Sequence, residues 1–198
     1  TARCGGRSGR VRTVNTSAAH VERAARSEDK PGNAEKNWSK AAMPAYPSSS
    51  PVVIVGAGPT GLTTACLLAT YGVEFIVLDR EPGPIDLPRA IVLDDEGART
   101  LQAFGMGETY LADPMEGEGS RYFNDAGESF AVTGRGPRNF GFAKRQFIYQ
   151  PELETALRDR LEALAPGRLR YSSEVIDVEQ GAHGATTVLR GPDGALHR

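Results

Sequence analysis

A chain of 198 residues, 39% hydrophobic and 24% charged, is long enough for one domain with a core, or one domain plus a tail. Its net charge of −2 gives no whole-chain attraction for nucleic acid or an acidic membrane, and no run approaches the roughly 18 apolar residues of a membrane span. Two cysteines and three scattered histidines form neither a disulfide framework nor a metal-ligand spacing, so the composition reads as reduced, soluble and cytoplasmic, with no metal site.

The charge is unevenly spread. Residues 1–27 carry six Arg against one Glu, a net of +5 that leaves −7 for the remainder. Residues 1–50 are rich in Arg, Ser, Ala, Gly, Asn and Pro and have no sustained period, so they are expected to be a disordered basic and polar tail and linker. The first 21 residues, with four Arg and no acid, share their composition with organelle transit peptides. A competing expectation is that "MPAYPSSSPVVIVGAGPTG" is the true beginning, with translation starting at Met43 and residues 1–42 an upstream extension.

From Pro51 the pattern tightens. Val52 to Val55 is a continuous apolar run, as a strand buried on both faces requires. Gly61 to Tyr71 predicts a helix with Leu62, Ala65, Cys66 and Ala69 on one face and Gly72 closing it. Phe75 to Leu78 is a second buried strand, which completes a βαβ unit with a parallel pair. A Pro-rich loop, "EPGPIDLPRA", leads to a helix in "IVLDDEGARTLQAFGM", where Asp94, Asp95 and Glu96 suit the positive helix end and Gly105 the stop. Residues 106–149 are Gly-rich with short aromatic stretches and predict a small sheet inserted in the fold. "QPELETALRDRLEALAPG" is a marked helix: Pro151 in the first turn, acids leading, Arg158 and Arg160 trailing, a Leu153, Leu157, Leu161 and Leu164 stripe, and Pro166-Gly167 as the end. "LRYSSEVIDVEQ" and "ATTVLR" alternate like a hairpin, and "GPDGALHR" opens a turn.

The chemistry sits in Gly56, Gly58 and Gly61, spaced G-x-G-x-x-G between the first strand and the first helix. Gly56 permits a sharp turn, Gly58 lets a pyrophosphate approach the backbone, and Gly61 lets helix and strand pack closely. The helix N-terminus presents free N–H groups and a positive dipole end. Asp79 ends the second strand 23 residues after Gly56, close to the roughly 20 expected of an acid that binds a ribose hydroxyl. The competing reading is a tight turn whose glycines serve packing alone. The full register favours an adenine dinucleotide, without deciding between NAD and FAD. An NAD dehydrogenase would continue with alternating strands and helices toward a six-stranded sheet; the interruption here favours a flavoprotein with a substrate-binding insertion.

Three blocks, "VVIVGAGPTGLTTACLLATYGVEFIVLDR", "LPRAIVLDDEGARTLQAFGM" and "FIYQPELETALRDRL", resemble in order the N-terminal portion of the FAD-dependent aromatic hydroxylases. These are single-component flavoprotein monooxygenases of the p-hydroxybenzoate hydroxylase type, and the second block is most similar to the 3-(3-hydroxyphenyl)propionate hydroxylase group. The resemblance implies an α/β, Rossmann-like βαβ FAD-binding domain over 51–198 with a β-rich substrate-domain insertion at about 106–149, incomplete at its C-terminus. It implies FAD as cofactor, NAD(P)H as co-substrate, and a small aromatic substrate hydroxylated with O₂. The cofactor-binding residues it implies are Gly56, Gly58, Pro59, Gly61, Asp79, Arg80, Arg89 and Gln150. The competing readings are an exposed loop arginine for Arg89 and a helix cap for Gln150. It assigns no catalytic acid, base or nucleophile, and none stands out in the chain.

Two further blocks of that family, an Asp-Gly and a Gly-Asp-Ala block, have no counterpart here; Asp193-Gly194 reads as a hairpin turn. The chain is therefore expected to be part of a longer enzyme and by itself to bind FAD weakly or not at all and not to hydroxylate. The alternatives are an NAD-dependent Rossmann dehydrogenase with an unusual insertion, and a non-catalytic nucleotide-binding remnant.

Overall fold

The computed structural model describes residues 45–198, apart from Glu108 and Asp113, and the backbone of Arg12–Val14. The readings of Met43 and of the tail before residue 45 lie, apart from those three residues, outside the described residues. Residues 45–50, read as part of the disordered linker, depart from it, because Tyr46 packs beside Ile76, Leu78 and Leu189 and its Oη hydrogen-bonds with Ser173 Oγ at 2.7 Å. Arg12–Val14 is strand β1, set antiparallel to a strand of the insertion. Those three residues thus depart from the disordered tail expected of 1–50, because an edge strand offers their backbone a ready ladder.

The βαβ unit forms as its sequence predicts: β2 (Val53–Val55), α1 (Pro59–Thr70) and β3 (Ile76–Leu78). β2 and β3 are parallel in register Val53 to Ile76. α1 ends where Gly72 adopts φ 70°, donating to Ala69 O while Val73 donates to Leu68 O, so the last turn's carbonyls are satisfied.

β4 (Val92–Leu93) leads into α2 (Asp95–Ala103). The insertion then runs through β5 (Met115–Glu116), β6 (Ser120–Phe123), β7 (Ser129–Thr133) and β8 (Gln146–Phe147). It is β-rich, as read, but makes two small sheets: β1-β6-β7, and β4-β8-β5 with β8 central. The second sheet joins the insertion to the strand before α2.

α3 (Gln150–Leu164) returns the chain to the βαβ unit, and β9 (Leu169–Arg170) pairs parallel with β3. β10 (Glu174–Gly181), β11 (Gly184–Arg190) and β12 (Leu196–His197) form an antiparallel meander. The expected single strand across "LRYSSEVIDVEQ" is thus two strands in different sheets. Between them Ser172 takes φ 50° and its amide bonds Glu81 O, a tertiary tether that alternation cannot announce. The Gly191 to Ala195 turn closes as predicted.

Alternation along β3 sets the layers. Val77 faces the main core, where Leu62, Ala65 and Cys66 of α1 meet Leu153, Leu157 and Leu161 of α3, with Phe75, Leu101, Phe104 and Met106 around them. Ile76 and Leu78 face the other side, against Leu189, Val175 and Tyr46. One face of the parallel sheet is therefore covered by helices and the other by the meander. The expectation that the first strand is buried on both faces is overturned. Ile54 joins the core, but Val55 is 61% exposed and Val53 lines an open groove with Ile76, Leu78 and Leu189. The reason is position: among the described residues β2 lies at the edge of its sheet and pairs with β3 alone.

The acids before α2 divide their work. Asp94 is the N-cap, accepting from Gly97 N at 2.7 Å. Asp95 turns inward and meets Lys144 Nζ at 2.6 Å, tying the end of the insertion to α2. Arg158 and Arg160 also depart from the trailing role. Neither lies in the last turn of α3; Arg160 donates to Phe104 O and Arg158 is buried. No described helix is long and apolar enough to cross a membrane.

Two outcomes follow from this packing. Asp95→Ala leaves the ammonium of Lys144 half-buried and unpaired, and is expected to lower stability by about 2–3 kcal/mol in chemical denaturation, against less than about 1 kcal/mol for Glu96→Ala. Burial raises the Cys66 thiol to about 11, outweighing the nearby Arg160 charge that lowers it. At pH 8 it is protonated, so peptide mapping should find Cys66 resistant to iodoacetamide in the folded chain and alkylated in the unfolded one.

Candidate dinucleotide-binding site

The three glycines are glycine for three different reasons. Gly56 extends the parallel ladder by donating to Leu78 O at 2.8 Å, and turns there with φ 103°, which only glycine adopts freely. Gly61 lies so close to the turn that a Cβ would sit 2.0 Å from Gly56 O. Gly58 has neither constraint: its φ is −76°, and a Cβ there would meet nothing within 4 Å. The protein's own packing explains Gly56 and Gly61 and leaves Gly58 unexplained, which counts against a turn whose glycines serve packing alone. An open approach to the backbone at Gly58 suits a ligand that must come close.

That approach leads to the start of α1. Pro59 occupies the first turn, where its missing N–H costs nothing, and the first intrahelical bond is Leu62 N to Gly58 O at 3.0 Å. The amides of Thr60 and Gly61 therefore have no intrahelical acceptor. No side chain caps this helix and no acid lies in its first turn. α2 differs, because Asp94, Asp95 and Glu96 neutralise its positive end. The N-terminus of α1 is left with its donors and dipole unopposed, a setting that favours an anion.

Asp79 stands beside this turn at the end of β3, as the strand-end spacing requires. Its Oδ2 accepts from Ala57 N at 2.5 Å and its Oδ1 from Glu81 N at 2.8 Å. Its own amide donates to Arg170 O, and its carbonyl accepts from Ser173 N, so β9 and the segment after it fix its backbone while its side chain reaches the turn after β2. A carboxylate has about four acceptor positions, and these contacts use two. Lone pairs remain for a hydroxyl donor. Arg80 is exposed and pairs with Glu81 at 3.3 Å, at the surface rather than in the turn.

Arg89 lies in the exposed Pro-rich loop, and its guanidinium makes no hydrogen bond or ion pair with a described residue. Its backbone, however, is held. Gln150 Oε1 accepts from Arg89 N at 2.9 Å and from Ala90 N at 2.7 Å, while Gln150 Nε2 donates to Glu154 Oε1 at 2.7 Å. The helix-cap alternative for Gln150 does not hold. Tyr149 is the N-cap position, and the Gln150 amide is spent on the loop and on Glu154 instead of on the helix's own N–H groups.

Sequence reading missed the polar side of α3. Gln150, Glu154 and Arg158 recur every four residues and are all buried, beside the leucine stripe. Arg158 donates to Tyr171 Oη at 3.4 Å and Thr155 Oγ1 at 2.8 Å. Burial raises the Tyr171 phenol; the Arg158 bond and charge oppose the rise, and the carboxylates of Asp79 and Glu154 add to it. The i, i+4, i+8 spacing was available as a signal, but the same spacing describes a solvated helix face.

The glycines predict separable outcomes. Gly61→Ala forces overpacking against backbone and should cost about 1–3 kcal/mol of stability in denaturant titration. Gly58→Ala should stay within about 1 kcal/mol of the parent chain yet weaken dinucleotide binding by an order of magnitude or more, measured by titration.

Comparison with known proteins identifies the family. The family described as "FAD binding domain" matches residues 49–197. A 3-(3-hydroxy-phenyl)propionate/3-hydroxycinnamic acid hydroxylase from Burkholderia vietnamiensis is 38% identical over 143 residues, covering 72% of this chain and 26% of the relative. The Klebsiella pneumoniae hydroxylase of that name is 32% identical over 152 residues, covering 77% and 27%. Among solved structures, the flavin-dependent monooxygenase PieE in complex with FAD and substrate superposes with a TM-score of 0.61 at 28% identity, over 77% of this chain and 29% of that one. OxyS, the anhydrotetracycline hydroxylase from Streptomyces rimosus, gives 0.60 at 32% identity, over 74% and 29%. The chain thus spans about a quarter of the length of the curated relatives it matches. With a glycine turn open at Gly58, a bare helix end, a strand-end carboxylate and a match over three quarters of its length, the chain belongs to the FAD binding domain family.

Proposed function

We propose that this chain is the FAD-holding part of a monooxygenase that hydroxylates a phenolic or related aromatic compound with NAD(P)H and O₂. The single observation that carries the cofactor reading is the uncompensated N-terminus of α1 beside the open Gly58 backbone. The amides of Thr60 and Gly61 bind the pyrophosphate, aided by the helix dipole. Gly56 shapes the turn, and Pro59 starts the helix without adding a donor that needs a partner. Asp79 accepts from an adenosine ribose hydroxyl and, by its charge, disfavours a 2′-phosphate at that position. The Arg89 guanidinium supplies a positive charge toward the anionic cofactor from the loop that Gln150 anchors, and Arg80 adds positive charge next to Asp79.

When bound, FAD carries electrons from NAD(P)H to O₂, so that one oxygen atom enters the ring and the other leaves as water. This chain's residues hold and orient the cofactor; none is assigned a proton-transfer or nucleophilic step. The β-rich insertion at about 106–149 contributes to the substrate side. Support for the aromatic substrate comes from the named hydroxylase relatives, whose names state phenolic propionate and cinnamate compounds.

Titration of isotope-labelled chain with FAD, ADP and NAD⁺, followed by amide shifts, tests the cofactor reading. FAD and ADP should move the Ala57, Thr60 and Gly61 amides at lower concentration than NAD⁺, and Asp79→Ala should weaken the FAD response by about tenfold or more, the worth of a charge-assisted hydrogen bond. Tighter binding of NAD⁺ than of FAD at those amides would turn the assignment to a nicotinamide-dependent dehydrogenase. A full-length enzyme containing this segment should consume NAD(P)H and O₂ only when a phenolic acid is present.

A further inference from the structure

The Pro-rich loop between β3 and β4 is exposed along nearly all of residues 84–90, yet its last two amides end in a buried side-chain network. Gln150, 4% exposed, accepts both of them through one oxygen. A carboxamide can do this in one sense only. Flipped, it would present its NH₂ to two N–H donors and place its oxygen against the Glu154 carboxylate. The group that fixes the sense is Glu154, 6% exposed, whose Oε1 accepts from Gln150 Nε2 at 2.7 Å. Without that acceptor, a buried NH₂ is left unpaired, and both the rotamer and the amide sense of Gln150 lose their determinant.

The loop held in this way carries Arg89, whose guanidinium is exposed and engages no described residue. A side chain of that length has a defined reach only if its backbone is fixed. A second tether, Tyr149 Oη to Asp86 Oδ1 at 3.0 Å, lies at the surface, where such a bond is weak. The residue after the loop is held by the backbone bond from Ile148 N to Ile91 O at 3.0 Å, and the buried anchor at Arg89 and Ala90 ties the end of the loop itself to α3.

We propose that Glu154 is a positioning residue for the dinucleotide site: acting through the Gln150 amide, it fixes the main chain at Arg89 and Ala90 and so the place from which the Arg89 guanidinium meets an anionic cofactor. The proposal rests on the reading that this site takes FAD. It assigns a role to a buried residue that acts through another side chain and that helical position alone marks as one of two acids, with Glu152, in the first half of α3.

The test uses the 198-residue chain with Glu154→Met, Glu154→Gln and Arg89→Ala. Met keeps volume and helix propensity but offers only a weak thioether acceptor; Gln keeps an acceptor oxygen for the Gln150 NH₂. Amide hydrogen exchange without flavin is read at Arg89 and Ala90, FAD affinity is read by titration, and thermal unfolding checks the fold. Glu154→Met should raise exchange at those two amides by about tenfold or more, leave exchange in the core of α1 unchanged, and weaken FAD to the same extent as Arg89→Ala. Glu154→Gln should restore both toward the parent values. Unchanged exchange at Arg89 and Ala90 in Glu154→Met overturns the proposal. So does raised exchange with unaltered FAD affinity, because the network then serves the fold alone. If the parent chain shows no FAD response at all, FAD affinity is read with the same substitutions in the full-length enzyme that contains this segment, where absence of FAD refutes the cofactor reading, and the exchange result still decides whether Glu154 holds the loop.

Discussion

The Asp79 carboxylate joins the end of β3 to the turn that leaves β2, through Ala57 N at 2.5 Å, and to its own succeeding loop through Glu81 N at 2.8 Å. Parallel strands cannot be linked by a tight hairpin, so the two strand ends must be brought level by the helix between them and locked by something at the edge. Here one carboxylate does the locking while the Gly61–Gly56 contact sets how near the helix start approaches the strand. The open donors of α1, the anion-binding potential and the remaining lone pairs of Asp79 all depend on that shared geometry. Because the helix start carries no acid and no cap, the turn retains its electrostatic attraction for a ligand instead of satisfying it internally.

Around this centre the molecule uses its two other charged features differently. The acids at α2 are spent on the structure, Asp94 on its own helix and Asp95 on Lys144 across the insertion. The polar edge of α3 is likewise internal, but it is connected outward: Gln150 reaches the Pro-rich loop, and Arg158 reaches Tyr171, which lies just after β9. α3 therefore serves as core through its leucines and as a rigid mount for loops through its polar edge, and the two faces share one rotational register.

Burial across the parallel sheet is uneven for a related reason. β3 lies between two strands and between two layers, so its residues are wholly buried; β2 lies at an edge, and its outward residues Val53 and Val55 remain exposed. An apolar run of four residues is compatible with both situations, which is why Val52–Val55 read as a doubly buried strand. Its neighbours, and not its composition, decide how much of it the solvent reaches.

Local rules sufficed wherever one segment supplies both the cause and the effect. The G-x-G-x-x-G turn, the strand-end Asp79, the glycine closing α1, the Asp94 cap and the leucine stripe of α3 could all be read from the chain, because each follows from backbone conformation or from periodicity within about thirty residues. Tertiary packing decided the rest: the split of "LRYSSEVIDVEQ" into β9 and β10 around Ser172, the inward turn of Asp95, Arg158 and Arg160, and the use of Gln150 as a loop anchor in place of a cap. All but one of these depend on a partner about fifty to ninety residues away in the chain; Arg158 meets Tyr171, 13 residues on and beyond the end of its helix. A buried polar side chain carries no periodic mark that separates it from an exposed one; only the partner brought beside it by folding makes its burial tolerable.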